Sequence, residues 1–209
     1  GKTVLAETLI GRFPRAGGSI FLGTIDIDRI SIKDAARTFG YIPQQVDFVG
    51  GTIEENIAGL ETAPDSNRII EVARLAGMHD RILSLPEGYA TRLDPDGSIL
   101  SKTERHKLAL ARALYPGPHL LIIDEPDPSF KEAMSSDLKD SLAEFLAVGG
   151  ILILLSQEAS EGQHQISRRF TLTSGELREV KLDKLSNGRA ARVSNGLKHA
   201  SLTQVQPLS

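Results

Sequence analysis

Cysteine is absent from the 209-residue chain, which excludes disulfide bonds and thiolate metal sites. Long apolar runs are absent too, and none approaches the roughly 20 residues that a membrane-spanning helix needs. No signal peptide is visible, and the chain opens on Gly1 without a start methionine. The lack of cysteine is compatible with a reducing compartment, and the abrupt start predicts a fragment or a processed chain.

A strong excess of positive charge is also missing, because the net charge is −3. This argues against a nucleic-acid surface, so we expect no nucleic-acid partner. Residues 181–209 differ from the rest, with five Lys or Arg residues, one Asp and no aromatic residue. Their content of Ser, Asn, Gln and Gly is typical of disorder. We expect a solvated, disordered basic tail, with contact to an anionic membrane face as the alternative.

Short apolar segments alternate with segments of helical periodicity, which predicts an α/β fold with a mainly parallel sheet. The predicted strands of the sheet are 39–42, 120–123 and 151–155, and a hairpin is predicted over 168–180. The main predicted helices are 4–13, 31–36, 67–76, 78–85, 102–115 and 130–147. Residues 50–116 contain mostly helices and loops, so we expect a helical insert between core segments 1–49 and 117–180 of one domain, 1–180.

Gly1-Lys2-Thr3 opens the first predicted helix and matches the end of the phosphate-binding loop G-x-x-x-x-G-K-[ST]. The amides and dipole of a helix N-terminus attract phosphate. On this interpretation Gly1 and Lys2 bind the phosphates of a nucleotide and the Thr3 hydroxyl is a Mg²⁺ ligand. Three residues are a weak motif alone, and an ordinary capped helix is the alternative.

Two acids, Asp124 and Glu125, follow the apolar segment 120–123. They fall at the C-terminal end of a predicted strand, where α/β sheets bind ligands. Asp124 is expected to hold Mg²⁺, directly or through water, and Glu125 to polarise an attacking water. Solvated acids after a core strand are the alternative, which the spacing from Lys2 disfavours.

Ser101 lies three residues before Glu104, ahead of a segment with apolar residues at helical spacing. This is the capping-box pattern, in which the serine hydroxyl accepts from one amide and the glutamate from the other. A helix cap therefore explains both residues without a function. An altered phosphate-binding site is the second interpretation.

The chain resembles the ATPase domain of ABC transporters over about residues 1–180. The segments that carry the resemblance, in the family's order and spacing, are Lys2-Thr3, Tyr41–Gln44, Gly51–Ile57, Leu100-Ser101, Leu108–Leu114 and Leu121–Pro126. Residues 50–59 and 73–93 look most like the exporter branch, and within it the ATPases of type I secretion systems. The resemblance implies a P-loop NTPase (RecA-like) core with a helical subdomain. It also implies that the first sheet strands and a membrane domain lie upstream of Gly1.

ATP and Mg²⁺ are the cofactors that this resemblance implies. Gln44 matches a glutamine that touches Mg²⁺ and the attacking water. Ser101 matches the first residue of a Ser-Gly-Gly-Gln signature, which contacts the nucleotide of a second ABC ATPase domain in a head-to-tail dimer. The implied metal ligands are Thr3, Gln44 and Asp124, and the implied catalytic residues are Glu125, Gln44 and Gln157. Gln157 takes the place of a histidine that contacts the γ-phosphate.

For the whole protein, the resemblance implies an ATP-driven exporter at the cytoplasmic face of the inner membrane. A periplasmic adaptor and an outer-membrane channel are the further partners expected of a type I secretion system.

Three departures from the family pattern concern the composite site between two domains. Residues 102–104 replace Gly-Gly-Gln, Gln157 replaces histidine, and the loop Asp127–Lys131 ends in lysine instead of aspartate. Glutamine cannot carry a proton near neutral pH. Like charges at about 4 Å repel by about 4 kcal/mol at an effective dielectric near 20, so Glu104 is expected to weaken the grip on a triphosphate, with partial relief from Lys102.

We therefore expect a chain that binds Mg·ATP and whose homodimer hydrolyses it slowly or not at all. His164 is expected to be a surface histidine and not a substitute for the missing one. Two alternatives stay open. One is a degenerate ABC subunit that pairs with a competent ATPase. The other is a soluble ABC ATPase of DNA maintenance, which the acidic core and the exporter-like residues 50–59 disfavour.

Overall fold

The computed structural model describes residues 1–95, 97–126, 136–157, 166–180 and 200–205. Within them the helices are α1 (Lys2–Leu9), α2 (Ile32–Thr38), α3 (Ile53–Ile57), α4 (Ser66–Leu75), α5 (His79–Leu83), α6 (Lys102–Leu114) and α7 (Ser136–Ala147). The strands are β1 (Phe21–Leu22), β2 (Ile25–Asp26), β3 (Phe39–Ile42), β4 (Gly51–Thr52), β5 (Arg92–Leu93), β6 (Leu120–Asp124), β7 (Ile151–Ser156), β8 (Ile166–Thr173), β9 (Glu176–Val180) and β10 (Ala200–Val205).

Six strands form the central sheet in the order β3-β6-β7-β10-β8-β9. β3, β6 and β7 are parallel and carry the three strands predicted from their apolar runs. The other half of the sheet is antiparallel. The α/β class is confirmed, and its parallel half places the C-terminal ends of β3, β6 and β7 at one edge.

β6 is buried along its whole length, and its alternate residues contribute to two hydrophobic clusters. Leu121 and Ile123 belong to the cluster that includes residues of α3 to α7. Leu120 and Ile122 belong to the cluster that includes Ala6 of α1. Successive side chains of a strand point to opposite faces, so α1 covers one face of the sheet and the later helices cover the other.

Gly40 allows α6 to lie directly on β3. A Cβ atom at this position would be 2.8 Å from the Ala113 carbonyl oxygen and 2.9 Å from Leu121 Cδ1. Only glycine permits such a close approach of helix and strand. This packing fixes α6, whose N-terminus carries the predicted capping box, against the sheet.

α1 ends at Leu9, earlier than the predicted end at residue 13. Gly11 has a φ of 74°, which breaks the helical backbone. The amide of Arg12 then donates to the Glu7 carbonyl at 2.7 Å. Glycine in the left-handed region is the common way in which a helix ends, and here it outweighed the apolar periodicity.

The predicted hairpin is β8–β9, and its two-residue turn has positive φ at both Ser174 and Gly175, 51° and 84°. Such a turn matches the twist of the paired strands.

Contrary to the predicted disorder of residues 181–209, Ala200–Val205 form β10, antiparallel to both β7 and β8. Alternation of apolar and polar residues at 200–203 favours a strand, although composition alone does not.

Some sequence predictions fall outside the described residues. These are the tail segments 181–199 and 206–209, the altered loop Asp127–Lys131, His164, and the first part of the predicted helix 130–147. Residues 50–116 contain α3 to α6 with the short β4–β5 pair, and they share a hydrophobic cluster with one face of the sheet. None of the helices in these described ranges has the length and hydrophobicity of a transmembrane segment.

Candidate active site

Lys2, in the first turn of α1, meets Glu125, which directly follows β6. The Lys2 Nζ atom lies 2.7 Å from Glu125 Oε1, and the two side chains are only 17% and 15% exposed. The N-terminal residues and the acidic pair are therefore neighbours in the fold. A site that used both Lys2 and Glu125 would require this proximity.

Two glutamines donate to the other carboxylate oxygen of Glu125. Gln44 Nε2 lies 2.6 Å and Gln157 Nε2 lies 2.8 Å from Glu125 Oε2. Burial raises the pKa of Glu125, but the hydrogen bonds from Lys2 and Gln157 and the charge of Lys2 outweigh burial and lower it below its ordinary value. Glu125 is therefore ionised at neutral pH and can act as a hydrogen-bond acceptor.

The backbone of Glu125 is in the left-handed region, with a φ of 48°. Its amide donates to the Leu155 carbonyl at 2.9 Å, one residue beyond the β6–β7 pairing of Asp124 with Leu155. A residue with a side chain costs on the order of 1–3 kcal/mol in this conformation, and such strain is concentrated at functional sites. Here it occurs at the residue whose carboxylate contacts Lys2.

Asp124 is fully buried, in contrast to Glu125. Burial is the main cause that raises the pKa of Asp124; the Thr3 hydroxyl opposes it, and the charge of Glu125 adds to it. Asp124 Oδ2 accepts from the Tyr41 hydroxyl at 3.4 Å. Burial, followed by the negative charge of Asp124, raises the pKa of Tyr41 to about 12, so that its hydroxyl remains a donor.

Asp124 Oδ1 is buried and has no hydrogen-bond partner among the described residues. An unsatisfied buried acceptor costs about 1–3 kcal/mol, and a cation would satisfy it. The described residues include no group of three or more His, Asp or Glu that could hold a metal. Mg²⁺ beside phosphates needs only one or two carboxylates, so Asp124 with the Thr3 hydroxyl fits this ion.

The N-terminus of α1 has the charge distribution that favours an anion. Gly1 precedes the helix and provides no side-chain cap, and the first turn contains no acidic residue. The first amides of a helix have no partners within the helix, and its dipole is positive at this end. Beside Lys2, these amides can bind a phosphate.

Ser101 belongs to a separate network at the N-terminus of α6. The capping box is present, with Ser101 N–H donating to Glu104 Oε2 at 2.7 Å and Glu104 N–H donating to Ser101 Oγ at 3.3 Å. Glu104 Oε1 accepts from Arg81 Nε of α5 at 2.7 Å. The charge of Glu104 is therefore offset by Arg81, a partner that the sequence analysis, which considers only Lys102, does not predict.

The structure thus brings together Lys2, Thr3, Gln44, Asp124, Glu125 and Gln157, and places Ser101 in the second network. Tyr41 and Arg81 are the contacts that motif analysis did not identify. Tyr41 pairs in register with Ile122, two residues before Asp124. Knowledge that β3 lies beside β6 would therefore have placed Tyr41 near Asp124. Arg81 lies 23 residues from Glu104 and follows no local spacing rule.

The sequence pattern of the ABC transporter family matches residues 1–128, more than half of the chain. A type I secretion system ATP-binding protein, PrsD of Rhizobium meliloti, is 34% identical over 160 residues, which cover 77% of this chain and 28% of that protein. The colicin V secretion/processing ATP-binding protein CvaB of Escherichia coli is 35% identical over 125 residues, which cover 60% of this chain and 18% of that protein. The chain therefore spans less than a third of the length of these relatives.

The fold also has a solved counterpart. A bacterial Atm1-family ABC exporter with ATP bound superposes with a TM-score of 0.60 at 24% identity, over 74% of this chain and 30% of that one. At this identity the likeness supports the fold alone.

Proposed function

The chain belongs to the ABC transporter family, and from this premise we propose that it binds Mg·ATP and, as a homodimer, hydrolyses it slowly or not at all. It is similar to the nucleotide-binding domains of exporters. The observation that carries Mg·ATP binding is the convergence of Lys2, Gln44, Asp124 and Glu125 at the ends of α1, β3 and β6. These are the residue types that nucleotide hydrolysis needs, and they meet at one point.

Each residue has a role in this proposal. Lys2 exchanges its Glu125 partner for phosphate oxygens, and the α1 amides bind the same phosphates. Thr3, Asp124 and Gln44 would hold Mg²⁺, which neutralises phosphate charge when bound. Glu125, released from Lys2, accepts a hydrogen bond from water and orients it. Gln44 and Gln157 fix the direction of that carboxylate.

Slow turnover is proposed from two departures. Gln157 donates a hydrogen bond to Glu125 at 2.8 Å, but an amide cannot carry a proton near neutral pH. At the N-terminus of α6, Lys102 and Thr103 bring side chains where glycines would leave the amides open to a phosphate. Arg81 relieves the charge of Glu104 but not this steric obstacle.

At the level of the whole protein we propose export of a protein or other substrate across the inner membrane, with this domain at the cytoplasmic face. The secretion functions in the names of PrsD and CvaB support this proposal. We propose two partners for this domain. One is a membrane domain in the same polypeptide, and the other is a second ABC ATPase domain that pairs with this one head to tail. A periplasmic adaptor and an outer-membrane channel complete the proposed route.

ATP hydrolysis by the full-length protein, reconstituted in lipid, tests the proposal. We expect a rate well below that of a competent exporter measured in parallel, and Glu125→Gln is expected to remove what remains. Glu144→Gln, the same change at an exposed position on α7, is the matched control and should leave the rate unchanged. A rate equal to the competent exporter's, abolished by Glu125→Gln, would overturn the proposed slow turnover.

A second candidate function follows from Gln157 and the altered signature. The chain then acts as a non-catalytic partner that completes the site of a competent ABC subunit. Mixing the two full-length proteins distinguishes the candidates. Turnover that appears only on addition of the competent subunit, and depends on that subunit's own glutamate, supports the partner role.

A further inference from the structure

We propose that Arg81 is a positioning residue for the signature, and that it makes an acidic residue at position 104 compatible with a nucleotide bound across the dimer. The inference rests on the proposed function, in which the N-terminus of α6 faces the nucleotide of a second domain. Arg81 lies on α5, and its side chain contacts Glu104 in the first turn of α6.

The contacts divide the Glu104 carboxylate between two donors. Oε2 accepts from the Ser101 amide at 2.7 Å and Oε1 accepts from Arg81 Nε at 2.7 Å. Arg81 is itself fixed, because its Nη1 atom donates to Ser84 Oγ at 3.0 Å. Both carboxylate oxygens are thereby turned towards protein donors, and the carboxylate cannot rotate without losing them.

Glu104 cannot avoid its charge by taking up a proton. Burial raises its pKa, but the bonds from the Ser101 amide and from Arg81 outweigh burial and lower it. An ionised carboxylate next to the first amides of α6 repels a polyphosphate, whose approach those amides would otherwise favour. With Arg81 in place the Arg81–Glu104 pair is neutral, and the repulsion of a polyphosphate by the carboxylate is offset.

Substitutions can separate this charge effect from helix capping. Glutamine serves at the third position of a capping box as glutamate does, so Glu104→Gln keeps the cap and removes the charge. Arg81→Met keeps most of the side-chain length and removes the partner. The double variant, Arg81→Met with Glu104→Gln, has neither charge.

The readout is ATP-driven closure of the dimer, followed as the distance between labelled ATPase domains in the full-length protein. Arg81→Met is expected to raise the ATP concentration for half-maximal closure by on the order of tenfold. Glu104→Gln and the double variant are expected to close at or below the wild-type concentration, and Arg81→Lys to recover most of the loss. Salt should reduce the effect of Arg81→Met, because the repulsion is screened. Arg74→Met, which removes an exposed arginine of α4, is the matched control.

Two results with the variants, and one with the wild-type protein, would overturn the inference. One is closure of Arg81→Met at the wild-type ATP concentration. The other is a double variant no better than Arg81→Met, which would show that Arg81 acts through packing. A wild-type protein that binds Mg·ATP through Lys2 but never closes would also overturn it, while leaving nucleotide binding intact. Loss of Mg·ATP binding itself would contradict the proposed function.

Discussion

Glu125 is the residue on which the site depends most. Three donors, Lys2, Gln44 and Gln157, share its two carboxylate oxygens within 2.8 Å. Its backbone has a φ of 48°, so the carboxylate is directed by conformation as well as by hydrogen bonds. A phosphate that takes Lys2 leaves Glu125 with the two glutamine donors, which hold it in place without neutralising it.

Gln157→Ala and Gln157→His give the residue-scale prediction. Histidine can hold and release a proton near neutral pH, and such groups contribute on the order of 10²–10⁴-fold to rates. We expect Gln157→His to raise ATP hydrolysis at least about tenfold, and the rate to change with pH near the imidazole pKa of about 6.5. Gln157→Ala is expected to show neither effect, because it removes the donor and adds no titrating group.

The measurement is steady-state ATP hydrolysis by the full-length wild type and both variants. It covers about pH 5.5 to about pH 8.5, a range that brackets the imidazole pKa. An unchanged rate and a flat pH profile in Gln157→His would contradict the assignment of this position.

Residues with a local motif could be predicted, and residues joined only by the fold could not. Lys2 and Asp124 were identified because a helix start and a strand end have recognisable sequences. The Arg81–Glu104 pair depends on how α5 lies against α6, so no spacing in the sequence reveals it. Tyr41 was part of a quoted motif, but its bond to Asp124 depends on the register of β3 and β6.

At the scale of single elements, α6 shows the closest agreement between sequence and structure. Its start was predicted from Ser101 and Glu104, and both bonds of the capping box are present. The apolar residues that follow pack against β3 and the other helices. β10 is the opposite case. The composition of the tail predicts disorder, and the alternating pattern at residues 200–203 is too short to predict a strand alone. The strand forms where it pairs with β7 and β8.

Ser101→Ala gives the element-scale prediction. It removes the oxygen that accepts from the Glu104 amide, so the free energy of unfolding should fall by about 1 kcal/mol. Ser19→Ala, at an exposed position outside the helices, is the matched control and should change it by less than about 0.5 kcal/mol. Denaturant unfolding followed by circular dichroism measures both. Equal stability of the two variants would show that the cap contributes nothing.

At the scale of the whole molecule, the parallel half of the sheet explains where the site lies. β3 leads to Gln44, β6 to Asp124 and Glu125, and β7 to Gln157, all from the C-terminal ends of neighbouring strands. α1 packs on the same sheet and brings Lys2 to that edge. The alternation of apolar strands and helices was enough to predict this edge, whereas the antiparallel half was predicted only in its hairpin.

Equilibrium binding of ATP to the full-length protein, with and without Mg²⁺, tests the central claim most directly. Lys2→Met should weaken binding by roughly 10–100-fold, since a hydrogen bond to a charged group contributes about 1.5–3 kcal/mol. Asp124→Asn should remove the enhancement by Mg²⁺, and Lys33→Met, at an exposed position on α2, should have no effect. Wild-type affinity and Mg²⁺ dependence in both Lys2→Met and Asp124→Asn would contradict a magnesium–nucleotide site at these residues.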